Sequence, residues 1–101
     1  MFARQTTFQI SRENHAKSVE IYKTQIIPEA EKQKGFKGAY FLCNKNSSKF
    51  ISLTFWDNFQ SAYDNQKSGY FQRQIDKLED LVVNPPDVEG FEVCSFSEIK
   101  F

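Results

Sequence analysis

The stretch ISLTFWDNFQSAYDNQ, residues 51–66, changes period once, at Trp56-Asp57. Before that pair Ile51, Leu53 and Phe55 alternate with smaller or polar residues, the two-residue rhythm of a strand with one apolar face. After it Phe59 and Tyr63 open a run spaced by three and four, which Phe71, Ile75, Leu78 and Val82 continue as one face of a helix. A strand that passes at once into a helix commits the chain to layers, with helices packed on a sheet. Asp57 and Gln60 have the form of a capping box, with Asp in place of Ser or Thr. Ser68-Gly69 divides the helix in two, and Ser68 caps the second piece.

The flanking segments repeat the pattern. Residues 2–10, FARQTTFQI, alternate and carry β-branched and aromatic side chains, a strand. Ser11 is placed to cap a helix whose inward face is Ala16, Val19, Tyr22, Ile26 and Ala30. Pro28, with no amide proton, should kink or loosen it, and Gly35 should end it. In FKGAYFLCN, residues 36–44, Phe36, Tyr40 and Leu42 point one way and Ala39, Phe41 and Cys43 the other. A polar turn over 44–48 leads into the strand Lys49 to Trp56. NPPDVEG, 84–90, reads as a rigid loop, and FEVCSFSEIKF as a closing strand. The order β-α-β-β-α-β predicts one α+β domain over residues 1–101, a ferredoxin-like sandwich with two helices on one face of a four-stranded antiparallel sheet. The other sheet face then stays bare. Phe2, Phe8, Tyr40, Leu42, Phe50 and Val93 are too apolar to leave wet whichever side they fall on, so a second copy packed sheet to sheet is expected.

Thirteen basic and thirteen acidic residues give no net charge, and no basic stripe argues for a nucleic-acid partner. No segment has the length and apolarity of a membrane span, and MFARQTTFQI lacks the features of a secretory signal, so a cytoplasmic protein is expected. Cys43 and Cys94 have no metal-ligand spacing and read as small buried residues of strands. The single imidazole, His15, sits at a helix start as a solvated or capping group, which leaves no Cys-His or Ser-His pairing. No glycine-rich phosphate loop is present. Sixteen aromatic residues, eleven of them Phe, exceed what so small a core needs, so some rings should face a cavity or a second subunit.

The strand closing on Trp56-Asp57, the helix from Phe59, the second piece from Ser68 and GFKGAYFL after the proline-bearing IIPEAEKQKGFKG together resemble the antibiotic biosynthesis monooxygenase-like family. The resemblance spans nearly the whole chain. It implies a dimeric α+β barrel, with a ligand cavity between helices and sheet in each subunit. Some members are cofactor-free monooxygenases of phenolic or anthrone-type substrates, some degrade haem, and others isomerise or bind small metabolites. The haem-degrading branch carries an Asn, a Trp and a His where this chain has Thr6, Asn65 and Ile75, so that chemistry is not expected. The cofactor-free branch has a strand Trp, matched by Trp56, with an Asn four residues before it and a Tyr six after; Ser52 and Ala62 stand there, with Tyr63 adjacent. The resemblance implies no cofactor and no metal.

Oxygenation without a cofactor needs a dry pocket, a proton acceptor or donor, and charge or hydrogen bonds for a developing oxyanion. Trp56, Tyr63, Tyr40, Arg4 and Phe71 are the candidate pocket residues: rings to stack on a flat substrate, hydroxyls to donate, and a cation to stabilise negative charge. The expected function is oxygenation of a small aromatic or quinone-type metabolite. The competing expectation is a non-catalytic dimeric domain that binds a small hydrophobic ligand.

Overall fold

The computed structural model describes residues 1–100. Four strands, β1 (Phe2–Gln9), β2 (Phe36–Cys43), β3 (Lys49–Trp56) and β4 (Asp87–Glu92), form one sheet in the order β2-β3-β1-β4. Every neighbouring pair is antiparallel. Helices α1 (His15–Ile21) and α2 (Ile27–Ala30) lie between β1 and β2, and α3 (Phe59–Lys67) and α4 (Tyr70–Lys77) between β3 and β4. This is the ferredoxin-like α+β arrangement that the element order predicts.

Register decides which side chains meet the helices. Down the centre of the sheet the helix-facing pairs are Phe8–Phe50, Thr6–Ser52, Arg4–Thr54 and Phe2–Trp56. Phe8 and Phe50 close a core with Ile10, Tyr22, Ile26, Leu78 and Leu81. The two middle pairs are polar, although they lie on the buried side. The apolar side of β3 seen in the sequence, Ile51, Leu53 and Phe55, pairs with Thr7, Gln5 and Ala3 on the open face instead.

Several local readings need correction. A bulge between Phe36 and Gly38 shifts the register by one, so Phe36 stands opposite Trp56 on the helix side, not with Tyr40 and Leu42. Ala16 and Val19 are exposed, and the inward face of the first helical segment begins at Ser18 and Tyr22. A 3₁₀ turn over Arg12–Asn14 precedes α1 and alters its phase, and Ser11 makes no capping bond to it. The loosening expected at Pro28 takes the form of a π-helical turn, Tyr22–Ile26, immediately upstream. The cap of α3 is Asn58, whose side chain accepts from the Ser61 amide at 2.9 Å, one residue beyond the expected Asp57. Phe59 and Tyr63 are half exposed, and α3 turns Ala62 and Asn65 inward. The N-cap of α4 is Gly69, not the expected Ser68, although the Ser68 hydroxyl accepts from the Tyr70 amide at 3.3 Å.

β4 occupies much of the segment read as a loop, and residues 93–100 carry no regular structure. The outer edge of β1 supplies the ladder from Thr7–Asp87 to Phe2–Glu92, and this outweighs local turn propensity. Cys43 and Cys94 are both exposed, not buried.

Gly35 ends the first helical segment with φ 81°, a conformation that penalises any side chain. A Cβ there would lie 2.5 Å from Asp57 Oδ1 and 2.6 Å from Ser61 Cβ. The Gly35 carbonyl also accepts from the Asp57 amide at 2.8 Å, which joins the end of the helical layer to the β3–α3 corner. The Gly35→Ala variant should lose about 2 kcal/mol or more in urea unfolding, from left-handed strain plus the clash. Gly38→Ala, whose Cβ meets nothing within 4 Å, should shift stability by less than about 0.5 kcal/mol. Equal midpoints for the two variants would contradict this reading of the corner.

Candidate functional site

The polar middle of the helix-facing sheet is organised around Arg4, which is 4% exposed. Strand alternation sends it inward between Phe2 and Thr6. Its Nη1 donates to the Ala62 carbonyl at 3.2 Å and its Nη2 to Asn65 Oδ1 at 3.0 Å, both on α3. Asn65 passes the chain outward by donating from Nδ2 to Gln33 Oε1 at 3.1 Å. The guanidinium carbon lies 5.0 Å from the centre of the Trp56 ring and 4.6 Å from that of Phe71, over the faces of both. No carboxylate pairs with Arg4, since the ion pairs among the described residues join Glu29 to Arg73 and Lys77.

Burial pulls the Arg4 pKa down from its ordinary value to about 10, an effect opposed by Tyr70 and Tyr22. At neutral pH it is still a cation. The same burial pushes Tyr70 up to about 12 and raises Tyr22, whose hydroxyl lies 2.8 Å from Ser52 Oγ. Both phenols therefore stay protonated at neutral pH and are available as donors.

Arg4 borders two openings. On one side is an interior cavity of about 40 Å³, lined by Thr6, Tyr22, Ser52, Thr54, Tyr70 and Phe71 among others. That is room for water-sized molecules only. On the other side, between α3 and β4, lies a groove of about 240 Å³, lined by Phe2, Phe59, Ala62, Tyr63, Gln66, Val88 and Gly90. Phe59 meets Phe2 edge-on at 5.3 Å and lies tilted against Tyr63 at 5.5 Å, so three rings line one wall. Gly90 lets this wall form, because a Cβ there would lie 2.5 Å from the Phe2 ring.

Of the five candidate residues, Arg4, Trp56 and Phe71 come together as a cation against two rings. Tyr63 lines the groove that Arg4 also borders, and Lys67 Nζ lies over its ring at 4.6 Å. Tyr40 is elsewhere, on the open sheet face, where it meets Phe55 edge-on at 6.1 Å. Trp56 is fully buried and donates its indole N–H to Thr54 Oγ1 at 3.0 Å, so its polar end is already engaged. It borders Arg4, and the lining of neither opening includes it. Tyr70, Thr54 and Gln74 were not singled out from the sequence; Tyr22 was read only as part of a helix face, and Thr6 and Ser52 only as positions where family residues are replaced. A signal for the strand residues existed: they lie in phase with Phe8, Phe50 and Trp56, so polar groups share the buried side. Asn65, noted only for not being Trp, is the principal partner of Arg4.

His15 also departs from its expected isolation. Its Nε2 lies 3.9 Å from Cys43 Sγ, a Cys–His contact that chain separation concealed. Among the described residues no three His, Cys, Asp or Glu side chains cluster as metal ligands would, and no helix is long and apolar enough to cross a membrane.

A split βαβ sandwich with a buried cation and an aromatic groove under its helices defines a small α+β fold built around a polar interior. Residues 1–77 match the antibiotic biosynthesis monooxygenase family, and the chain belongs to it. Among solved structures, a Streptomyces coelicolor monooxygenase in complex with nanaomycin D superposes with TM-score 0.80 at 16% identity, over 98% of this chain and 92% of that one. A Deinococcus radiodurans protein assigned to the antibiotic biosynthesis monooxygenases gives 0.77 at 17% identity, over 100% of both chains. A conserved protein of Methanosarcina mazei gives 0.73 at 14% identity, over 89% of each. At these identities the likeness is one of fold. No curated protein sequence matches the chain.

Proposed function

We propose that the protein oxygenates a small aromatic or quinone-type metabolite without a cofactor, using Arg4 to hold the substrate as its anion. The observation that carries this reading is the buried guanidinium, which faces neutral oxygens and ring faces and no carboxylate. Removing a cation from water without a counter-charge costs several kcal/mol, and an anionic ligand would repay it. The reading draws support from membership of the antibiotic biosynthesis monooxygenase family and from a protein of like fold solved in complex with nanaomycin D.

In this reading the substrate ring lies in the groove against Phe2, Phe59 and Tyr63, and its oxygen faces Arg4. The cation favours the phenolate or enolate, and the proton leaves to solvent, since both lining sets lack a carboxylate and an imidazole. The electron-rich carbon then bonds to dioxygen. The peroxide collapses to a carbonyl as its distal oxygen departs in water, so a CH₂ group and O₂ become C=O and H₂O. Arg4 stabilises negative charge on the substrate oxygen throughout.

The lack of a built-in base also favours a second reading, in which the groove binds an aromatic anion and performs no chemistry. Oxygen uptake with a hydroxyanthrone, corrected for autoxidation, separates the two. Oxygenation predicts that Arg4→Met lowers the enzymatic rate by about 100-fold. Its unfolding free energy should change by less than about 2 kcal/mol, because an unpaired buried charge leaves with the side chain. Uptake no faster than autoxidation, with saturable quenching of Trp56 fluorescence by the same compound, would support binding alone.

The protein is further proposed to act as a homodimer through the open sheet face. Tyr40, Leu42 and Phe91 are exposed there, and Phe55, Val93, Phe96 and Ile99 help line a depression of about 460 Å³. Sedimentation at micromolar concentration should give a species of twice the 11.8 kDa chain mass, and a lone 11.8 kDa species would overturn the dimer.

A further inference from the structure

We propose that Cys43 is a modification site, a nucleophilic thiol that forms a mixed disulfide with low-molecular-weight disulfides, with His15 as its base. The site is independent of the Arg4 groove. Cys43 pairs with Phe50 whereas Arg4 pairs with Thr54, which separates them by roughly 13 Å along β3 at the usual rise per residue.

A thiol attacks only after giving up its proton, and a nearby imidazole nitrogen takes that proton as the new bond forms. The sulfur of Cys43 lies 3.9 Å from His15 Nε2, and Cys43 is exposed at the end of β2. The pair is held from beneath by one residue. Phe50, 2% exposed, is the strand partner of Cys43, and the His15 ring meets it edge-on at 5.1 Å. The His15 backbone is fixed as well, its carbonyl accepting from the buried Ser18 hydroxyl at 2.7 Å.

Cys94 supplies an internal comparison. It is equally free and exposed, yet its polar contact is the Glu92 carbonyl at 3.8 Å, which accepts a hydrogen bond but does not take a proton. The two thiols share a chain and a solvent, and they differ in the base.

The step balances without another reagent. The Cys43 thiolate attacks one sulfur of the disulfide, the S–S bond breaks as the Cys43–S bond forms, and the departing thiolate takes the proton held by His15. Excess free thiol reverses it.

The test follows thiolate release from an aromatic disulfide, 5,5′-dithiobis(2-nitrobenzoate), with the full chain and its Cys43→Ser, Cys94→Ser and His15→Gln variants. Cys43, read in Cys94→Ser, should react roughly ten-fold or more faster than Cys94, read in Cys43→Ser, and His15→Gln should erase most of that difference. The Cys94 rate and the Trp56 emission maximum should not move in His15→Gln, which separates loss of the base from loss of the fold. With glutathione disulfide, peptide mass mapping should place the first adduct on Cys43. Equal rates at the two cysteines, or a Cys43 rate indifferent to His15→Gln, would overturn the assignment.

Discussion

A guanidinium buried without a carboxylate partner is the costliest single feature of this fold, and much of the surrounding structure answers to it. Arg4 sits in the central strand β1, so strand alternation cannot release it to solvent without turning Phe8 outward as well. The helical layer therefore comes to meet it. Asn58 caps α3 so that the Ala62 carbonyl and the Asn65 amide face inward. The Ser68-Gly69 break then redirects the chain, and α4 brings Phe71 over the cation and Tyr70 and Gln74 beside it. Gln33 anchors the outer end of the same hydrogen-bond chain. Each contact to Arg4 is from a neutral group, so the positive charge is solvated by dipoles and ring faces but not cancelled. That is the electrostatic condition of a preorganised anion site.

The interior is accordingly divided. At one end of the sheet Phe8, Ile10, Phe50, Leu78 and Leu81 form an ordinary apolar core that supplies cohesion. At the other end Trp56, closed on one side by Phe36 at 5.6 Å, backs the polar belt. The apolar core and the polar belt thus occupy different stretches of the same two strands. The ion pairs of Glu29 with Lys77 and Arg73 tie the first helical segment to α4. The hydrogen bond from Lys77 is the main reason the Glu29 carboxyl is held down at about 2. As pH falls from the ordinary carboxylate range towards that value, the group contributes progressively less to folding.

Element order, strand pairing and the strand-to-helix corner at Trp56 were legible in the sequence because they rest on period alone. Which side of each strand faces the helices was less so. Ile51, Leu53 and Phe55 advertise a buried face, but the open sheet face is apolar too, so periodicity could not rank the two. The bulge beside Phe36, the cap at Asn58 and the early start of β4 depend on partners far along the chain. Arg4, Trp56 and Phe71 were named from residue chemistry, and the fold places them in contact. Tyr70 escaped notice, and the roles of Asn65 and Tyr22 went unread, because their importance lies in what they face, and sequence spacing does not carry that. The His15–Cys43 contact escaped for the same reason, since its members belong to separate elements joined through Phe50.

The electrostatic role assigned to Arg4 is most directly tested by titrating a bound phenol. A nitrophenol, whose phenolate absorbs in the visible, would be followed across pH free in solution, with the protein, and with Arg4→Met. A cation poised for an anion lowers the dye's apparent pKa on binding, by about one unit or more, and Arg4→Met abolishes the shift. A dye that binds in its neutral form, or titrates identically with both proteins, would show that the charge of Arg4 serves the fold and not a ligand.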